Sequence, residues 1–233
     1  MTNKIRVSSC VGVFAAFCLS NVALADDHNA GKWFAEGRYN ISVSEKTSWS
    51  DADTTNSKLV STTGASWSSR DGGGLALGYQ YADGLSAFSV GWETLGTSNL
   101  KFATGTLASG TVVSNYNLPV KTTNIMLEYS RNFPITDNFF AIGVLGVGMA
   151  KVKTAKYTFT GNTGAGTPKD VTNTSTRFGL GLGYSLSEDT QIISVVQQSN
   201  YGDAEIKAGS SSTSLFAAKV SGVEASIRLR VMF

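Results

Sequence analysis

The run EASIRLRVMF, Glu224 to Phe233, alternates apolar and polar residues and sets two arginines inside an otherwise apolar stretch. Period-two alternation is a strand pattern, with Ile227, Leu229, Val231 and Phe233 on one face and Arg228 and Arg230 on the other. If the apolar face meets hydrocarbon, the arginines face an enclosed interior. The opposite phase would put both in lipid, at roughly 2–4 kcal/mol for each one near the midplane. A strand of this kind constrains the chain to a fold whose outside is apolar and whose inside is polar.

The same rhythm recurs along the sequence. Trp33 to Ser44 sets Trp33, Ala35, Gly37, Tyr39, Ile41 and Val43 against Phe34, Glu36, Arg38, Asn40 and Ser42. Similar runs cover Gly74 to Tyr81, Ser86 to Leu95, Thr122 to Phe133 and Thr176 to Leu186, and Leu215 to Phe233 closes the series. Phe139 to Val152 and Gln191 to Tyr201 are strand-like, but their pattern does not fix which face is which. Gly143, Gly146 and Gly148 argue against a helix in the first of these. The count is eight strands.

The connections alternate in length. Short turns at Ala82-Asp83-Gly84, Pro134 to Asn138 and Ser187 to Thr190 join strands two and three, four and five, and six and seven. Long segments, Glu45 to Gly73, Gly96 to Lys121, Lys153 to Ser175 and Gly202 to Ser214, are rich in Ser, Thr, Asn, Gly and Asp and offer little to pack. Strict short–long alternation fits a meandering barrel with one trimmed rim and one elaborated rim. The expected fold is all-β, an eight-stranded antiparallel up-and-down transmembrane β-barrel with four long loops. Trp33, Tyr81, Tyr129, Phe133, Phe139, Tyr184 and Phe233 fall near short-turn or terminal ends, and Trp92 and Tyr201 near long-loop ends. Two aromatic girdles are the expected result.

The opening residues predict export. Lys4 and Arg6, an apolar stretch from Val11 to Leu19, and Ala23-Leu24-Ala25 have the layout of a signal peptide cleaved after Ala25. The organisation is then 1–25 signal peptide, 26–32 short tail and 33–233 barrel. Both cysteines, Cys10 and Cys18, lie in the removed part, so no disulfide is expected. Cleavage also leaves 17 basic against 17 acidic residues, a balance that gives no reason to expect nucleic acid as a partner. With 25 Gly and only 3 Pro the composition would also suit a water-soluble exported β-sandwich, which the connector pattern disfavours.

These residues resemble the small eight-stranded outer-membrane proteins, the OmpA transmembrane-domain and opacity-protein-like group, over essentially all of Trp33 to Phe233. The resemblance rests on the leader, the strand and turn rhythm and the ending VEASIRLRVMF. It implies residence in the outer membrane of a Gram-negative bacterium, with short periplasmic turns, extracellular long loops and periplasmic termini. It implies that the insertion machinery recognises Phe233 as an assembly signal, and that lipid and lipopolysaccharide surround the barrel. A host or surface ligand would meet the long loops.

Chemistry is sparse. The only histidine, His28, precedes the barrel, so a Ser-His-Asp hydrolase is not expected and neither is a cofactor. His28 would stand third from a new amino terminus, a weak candidate for Cu(II) or Ni(II) and the only metal-site candidate. Gly179, Gly181 and Gly183 sit inside a strand rather than at a phosphate loop, where they leave room for bulky interior neighbours. The remaining constellation is a predicted lumen cluster: Glu36, Arg38, Glu93, Glu128, Arg177, Glu224, Arg228 and Arg230. An eight-stranded interior is just wide enough for side chains, and buried charges need partners, so these groups should plug it. The expected role is envelope-structural or adhesin-like. A small porin-like channel is the rival reading, and a soluble exported binding protein is the third.

Overall fold

The computed structural model describes residues 31–45, 49–50, 59–68, 70–107, 112–156, 158–159, 162–163, 167–207 and 214–233. Eight long strands dominate: β1 Lys32–Glu45, β2 Asp71–Gln80, β3 Ser86–Leu107, β4 Val112–Pro134, β5 Phe139–Thr154, β6 Asp170–Ser185, β7 Thr190–Lys207 and β8 Ser214–Met232. Each pairs antiparallel with its neighbour in the chain, and β8 returns to pair antiparallel with β1. The ring is closed, so the eight barrel strands leave no free edge, the condition for a β-structure in hydrocarbon. The fold is an all-β, eight-stranded, up-and-down barrel.

The closing register places Phe34 opposite Met232, Glu36 opposite Arg230 and Arg38 opposite Arg228. The outer wall is apolar. Trp33, Tyr39, Ile41, Val43, Leu75, Leu77, Val90, Trp92, Ile125, Leu145, Met149, Phe178, Leu180, Leu182, Val196, Ile227 and Leu229 are all exposed. From Trp33 to Val43 this band is about 25 Å tall, taking about 3.3 Å per residue and a tilt near 40°. Water would meet this surface at a large cost; lipid would not.

The phases left open by the pattern are now fixed. Along β5, Phe140, Ile142 and Val144 point inward and Leu145 and Met149 outward; along β7, Ile193, Val195 and Gln197 point inward. At the short-turn rim, rings meet in series across four strands. Trp33 contacts Tyr79 at 5.3 Å, Tyr79 contacts Tyr81 at 5.7 Å, Tyr81 contacts Phe88 at 6.0 Å and Phe88 contacts Tyr129 at 5.0 Å. Tyr201 departs from the girdle expectation. It lies fully buried inside the barrel, because its strand phase turns it inward and its hydroxyl finds Glu224 there.

The long segments also differ from expectation. Two of the four expected long connections, 96–121 and 202–214, are mostly strand: only residues 108–111 separate β3 from β4 and only 208–213 separate β7 from β8. β3 and β4 stay paired from Ser98↔Val120 to Thr106↔Val112, and β7 and β8 from Asp203↔Lys219 to Lys207↔Ser214. The cause is a second period-two pattern. Leu100, Phe102, Tyr116, Leu118, Val120, Ala204, Ile206, Ala218 and Val220 are all buried inside and form one core with Leu95, Ala150, Val152 and Tyr201. Phe102 and Tyr116 stack at 4.2 Å between ring centres. Ser66–Trp67 pairs with Lys101 and Leu100 of β3 and adds Trp67 to this core.

Candidate functional site: the charged lumen

Inward positions at mid-barrel carry all eight predicted charged residues, and every one of them is buried. Glu128, on β4, is the hub. Its Oε1 accepts from Arg38 Nη2 at 2.9 Å and from Arg228 Nη1 at 2.5 Å, and its Oε2 accepts from Arg38 Nη1 at 3.2 Å and Arg177 Nη1 at 3.4 Å. Glu36 takes Arg38 Nε at 2.7 Å on one oxygen, and Arg230 Nε at 2.9 Å and Nη2 at 2.8 Å on the other. Arg38 and Arg228, like charges directly opposite in the closing register, are thus tied together by a carboxylate from the far wall.

A second group lies nearer the long-loop end. Glu93 accepts from Arg177 Nη2, from Asn124 Nδ2 at 2.8 Å and from Asn40 Nδ2 at 3.1 Å. Glu224 accepts from Ser199 Oγ at 2.8 Å, Tyr201 OH at 2.9 Å, Gln197 Nε2 at 3.1 Å and Arg70 Nη2 at 3.3 Å. Arg177 joins the groups, since it reaches both Glu93 and Glu128. Each carboxylate has at least two partners, which is what burial demands, because an unmatched buried charge is far costlier than a matched one.

Five participants beyond the predicted set matter most: Arg70, Tyr201, Asn40, Asn124 and Gln197. Arg70 precedes β2 by one residue and is buried, with its guanidinium 5.1 Å from the centre of the Tyr201 ring. Its signal was present in the sequence. Counting back by twos from Ala76 through Gly74 and Gly72 reaches Arg70, but two glycines in succession hide the alternation.

Apolar layers flank the charges. Toward the short turns, Phe34, Ala87 and Met232 pack together, and the Arg230 guanidinium lies 4.2 Å above the Phe34 ring. Toward the long loops lies the larger core that includes Leu100, Leu118 and Val220, with contributors from opposite walls. The inward glycines fit this filling. A Cβ at Gly183 would lie 2.2 Å from Phe140 Cζ, and one at Gly78 would lie 2.3 Å from Phe34 Cζ.

The other predicted positions have simpler surroundings. Phe233 is exposed at the short-turn rim, and its N–H donates to the Trp33 carbonyl at 2.8 Å. Ala25, the leader and His28 lie outside the described residues. Among the described residues no group of His, Cys, Asp or Glu is arranged to hold a metal ion. Chemically, the charged set can lock five strands of the barrel together, β1, β3, β4, β6 and β8; its carboxylates are all occupied as hydrogen-bond acceptors.

No family model matches the chain, and no curated protein matches it. Solved structures do. The outer membrane protein OprG from Pseudomonas aeruginosa is 17% identical, with a TM-score of 0.55 over 88% of this chain and 97% of that one. Neisserial surface protein A is 11% identical, with a TM-score of 0.48 over 86% and 97%. Outer Membrane Protein W of E. coli is 14% identical, with a TM-score of 0.43 over 88% and 100%. The likeness to OprG is one of fold.

Proposed function

We propose that this chain is an integral outer-membrane barrel of a Gram-negative envelope, with a closed lumen and a structural or surface-contact role. One observation carries the reading: buried apolar clusters and a buried charge network follow one another inside the barrel. A charge layer with its carboxylates matched lies between apolar layers, and the upper one joins side chains of β3 and β4 to side chains of β7 and β8. An ion entering from the long-loop end would have to shed its water among Leu100, Leu118, Val152 and Val220. That passage is strongly unfavourable in an apolar medium.

The outer face supports the membrane assignment, since its apolar band matches the hydrocarbon height of an outer-membrane barrel. The periplasmic setting of the short turns and termini belongs to the same proposal, as does contact of the long segments with a surface ligand. Planar-bilayer recording of the purified folded chain tests the closed lumen, and no steady conductance steps are expected. Regular steps at neutral pH would favour a small porin-like channel instead. Binding of the folded protein to candidate surfaces, compared with a version shortened in the long segments, tests the contact role. Extraction of the chain without detergent would sink the membrane reading and favour a soluble exported protein.

A further inference from the structure

The outer wall of β4 and β5 changes character within two residues. Ile125 and Met149 pair across the strands and are both exposed, as the last apolar pair of the band on these strands. The next outward pair is Thr123 with Lys151, and the next is Lys121 with Lys153. All three lysines are exposed. Lys121 and Lys153 stand directly opposite, where cross-strand Cβ atoms are about 5 Å apart and like charges destabilise the sheet.

The local carboxylate does not balance them. Oδ2 of Asp170, on β6, receives both Lys151 Nζ at 3.1 Å and Lys153 Nζ at 3.4 Å. Two ammonium groups thus share one carboxylate oxygen and the third, Lys121, has no carboxylate among the described residues, with Thr123 and Thr172 on the neighbouring positions toward the apolar band. Each ammonium has three donors, so most of the donor capacity points away from the protein. The opposite edge of the band has the other sign: Asp83, Asp137, Glu188 and Asp189 stand there against Lys32 and Arg131.

We propose that Lys121, Lys151 and Lys153 form a docking ridge for the phosphates of an anionic lipid headgroup in the leaflet on the long-loop side. The inference rests on the outer-membrane reading above and names a lipid class for it. The ridge lies one pair beyond the apolar band, so acyl chains can lie against Ile125 and Met149 while a phosphate sits among the lysines. The phosphate supplies the charge that the Lys121–Lys153 pair lacks. A lysine near an anionic membrane surface strengthens attachment about fivefold.

The test uses the full chain folded in detergent micelles, with diphosphoryl lipid A and phosphatidylcholine as probes and lipid retention read by native mass spectrometry. The folded chain should retain lipid A roughly tenfold better than phosphatidylcholine. K121Q/K151Q/K153Q should lose that preference, whereas K101Q/K219Q, on the same end of the barrel, should keep it within about twofold. Equal retention by the triple variant overturns the ridge, and so does an equal loss in the control pair. If the triple variant does not fold, K121Q alone leaves both Asp170 contacts intact and should weaken retention about fivefold; no change overturns the proposal. A wild-type chain whose unboiled and boiled forms migrate identically would mean that the barrel reading itself fails. A chain that shifts normally but holds both lipids equally refutes the ridge alone.

Discussion

Arg38 and Glu128 face each other across the lumen as a two-bond ion pair, Nη2 to Oε1 at 2.9 Å and Nη1 to Oε2 at 3.2 Å, although 90 residues separate them. The parallel geometry is the strong arrangement for a guanidinium and a carboxylate. It also fixes strand identity, because β1 must be in its closing register with β8 for Arg38 and Arg228 to share one acceptor. The cluster therefore specifies which walls face one another.

Removing the hub should be costly for stability and silent for transport. Glu128→Ala deprives Arg38, Arg177 and Arg228 of an acceptor at once, and breaking a buried pair costs roughly 3–5 kcal/mol. Urea unfolding in lipid vesicles should show that loss as a lower midpoint. Bilayer recordings should stay flat, because the core around Leu118 is untouched. Conductance steps in this variant would mean that the charges, rather than the apolar layer, seal the lumen.

The apolar seal makes a complementary prediction. Leu118 is fully buried, and truncation to Ala should cost about 2–5 kcal/mol, depending on how far Leu100, Val120 and Val220 close the cavity. Leu100→Ser/Leu118→Ser should wet the layer and give measurable conductance while keeping the heat-dependent gel shift. A folded double variant that remains electrically silent would contradict the seal.

Much of this was legible in the sequence, for a physical reason. An apolar outer face and a charged interior force strict alternation wherever the two meet, as in Trp33 to Ser44 and Glu224 to Phe233. Legibility failed where the contrast failed. Phe139 to Val152 is apolar on both faces, because Phe140, Ile142 and Val144 fill the interior while Leu145 and Met149 belong to the exposed apolar band. Beyond the apolar band the contrast inverts, with Leu100, Phe102 and Leu118 inside and Lys101, Asn115 and Lys121 outside. A reading tuned to polar composition takes such stretches for loops. Glycine hid Arg70, and a bulge between Asn200 and Asp203 on β7 obscured where that strand ends.

Glycines should divide by what faces them. A Cβ at Gly181 would lie 2.1 Å from the Ser194 carbonyl oxygen and 2.9 Å from Val195 Cα, both backbone atoms of β7. Gly181→Ala must therefore move a paired strand, at about 1–3 kcal/mol. Gly37 faces outward with nothing within 4 Å of such a Cβ, so Gly37→Ala should change the unfolding midpoint little. Equal midpoints for the two variants would show that the β6–β7 wall is not tightly packed.

Orientation has its own measurement. Protease added to intact cells should cut within 45–73 or 153–175, both long polar segments of the sequence on the same side of the barrel. Cleavage confined to the turns at Asp83 or Asp137 would place the short turns outside and reverse the proposed topology.

The turn at Asp83 supplies the pH prediction. Oδ1 of Asp83 accepts from the N–H groups of Leu85 and Ser86, both at 2.9 Å, and Gly84 completes the turn at φ 66° with its N–H bonded to the Tyr81 carbonyl at 2.9 Å. Burial pushes the Asp83 carboxyl up, but the Ser86 and Leu85 donors, with Arg131 nearby, outweigh it and hold the group below its ordinary value. A lowered folded value means that the unfolded chain takes up the proton first as pH falls. The turn's contribution is therefore complete above the ordinary carboxylate value, about 3.9, and is lost as pH drops through the folded value beneath it. Asp83 is largely solvent-exposed, so solvent screens the effect and its size is modest. Asp83→Asn should remove this component, so the difference in unfolding midpoint between wild type and variant should shrink from pH 5 to pH 3. A difference that stays constant over that range would mean that the carboxylate charge contributes nothing to holding the turn.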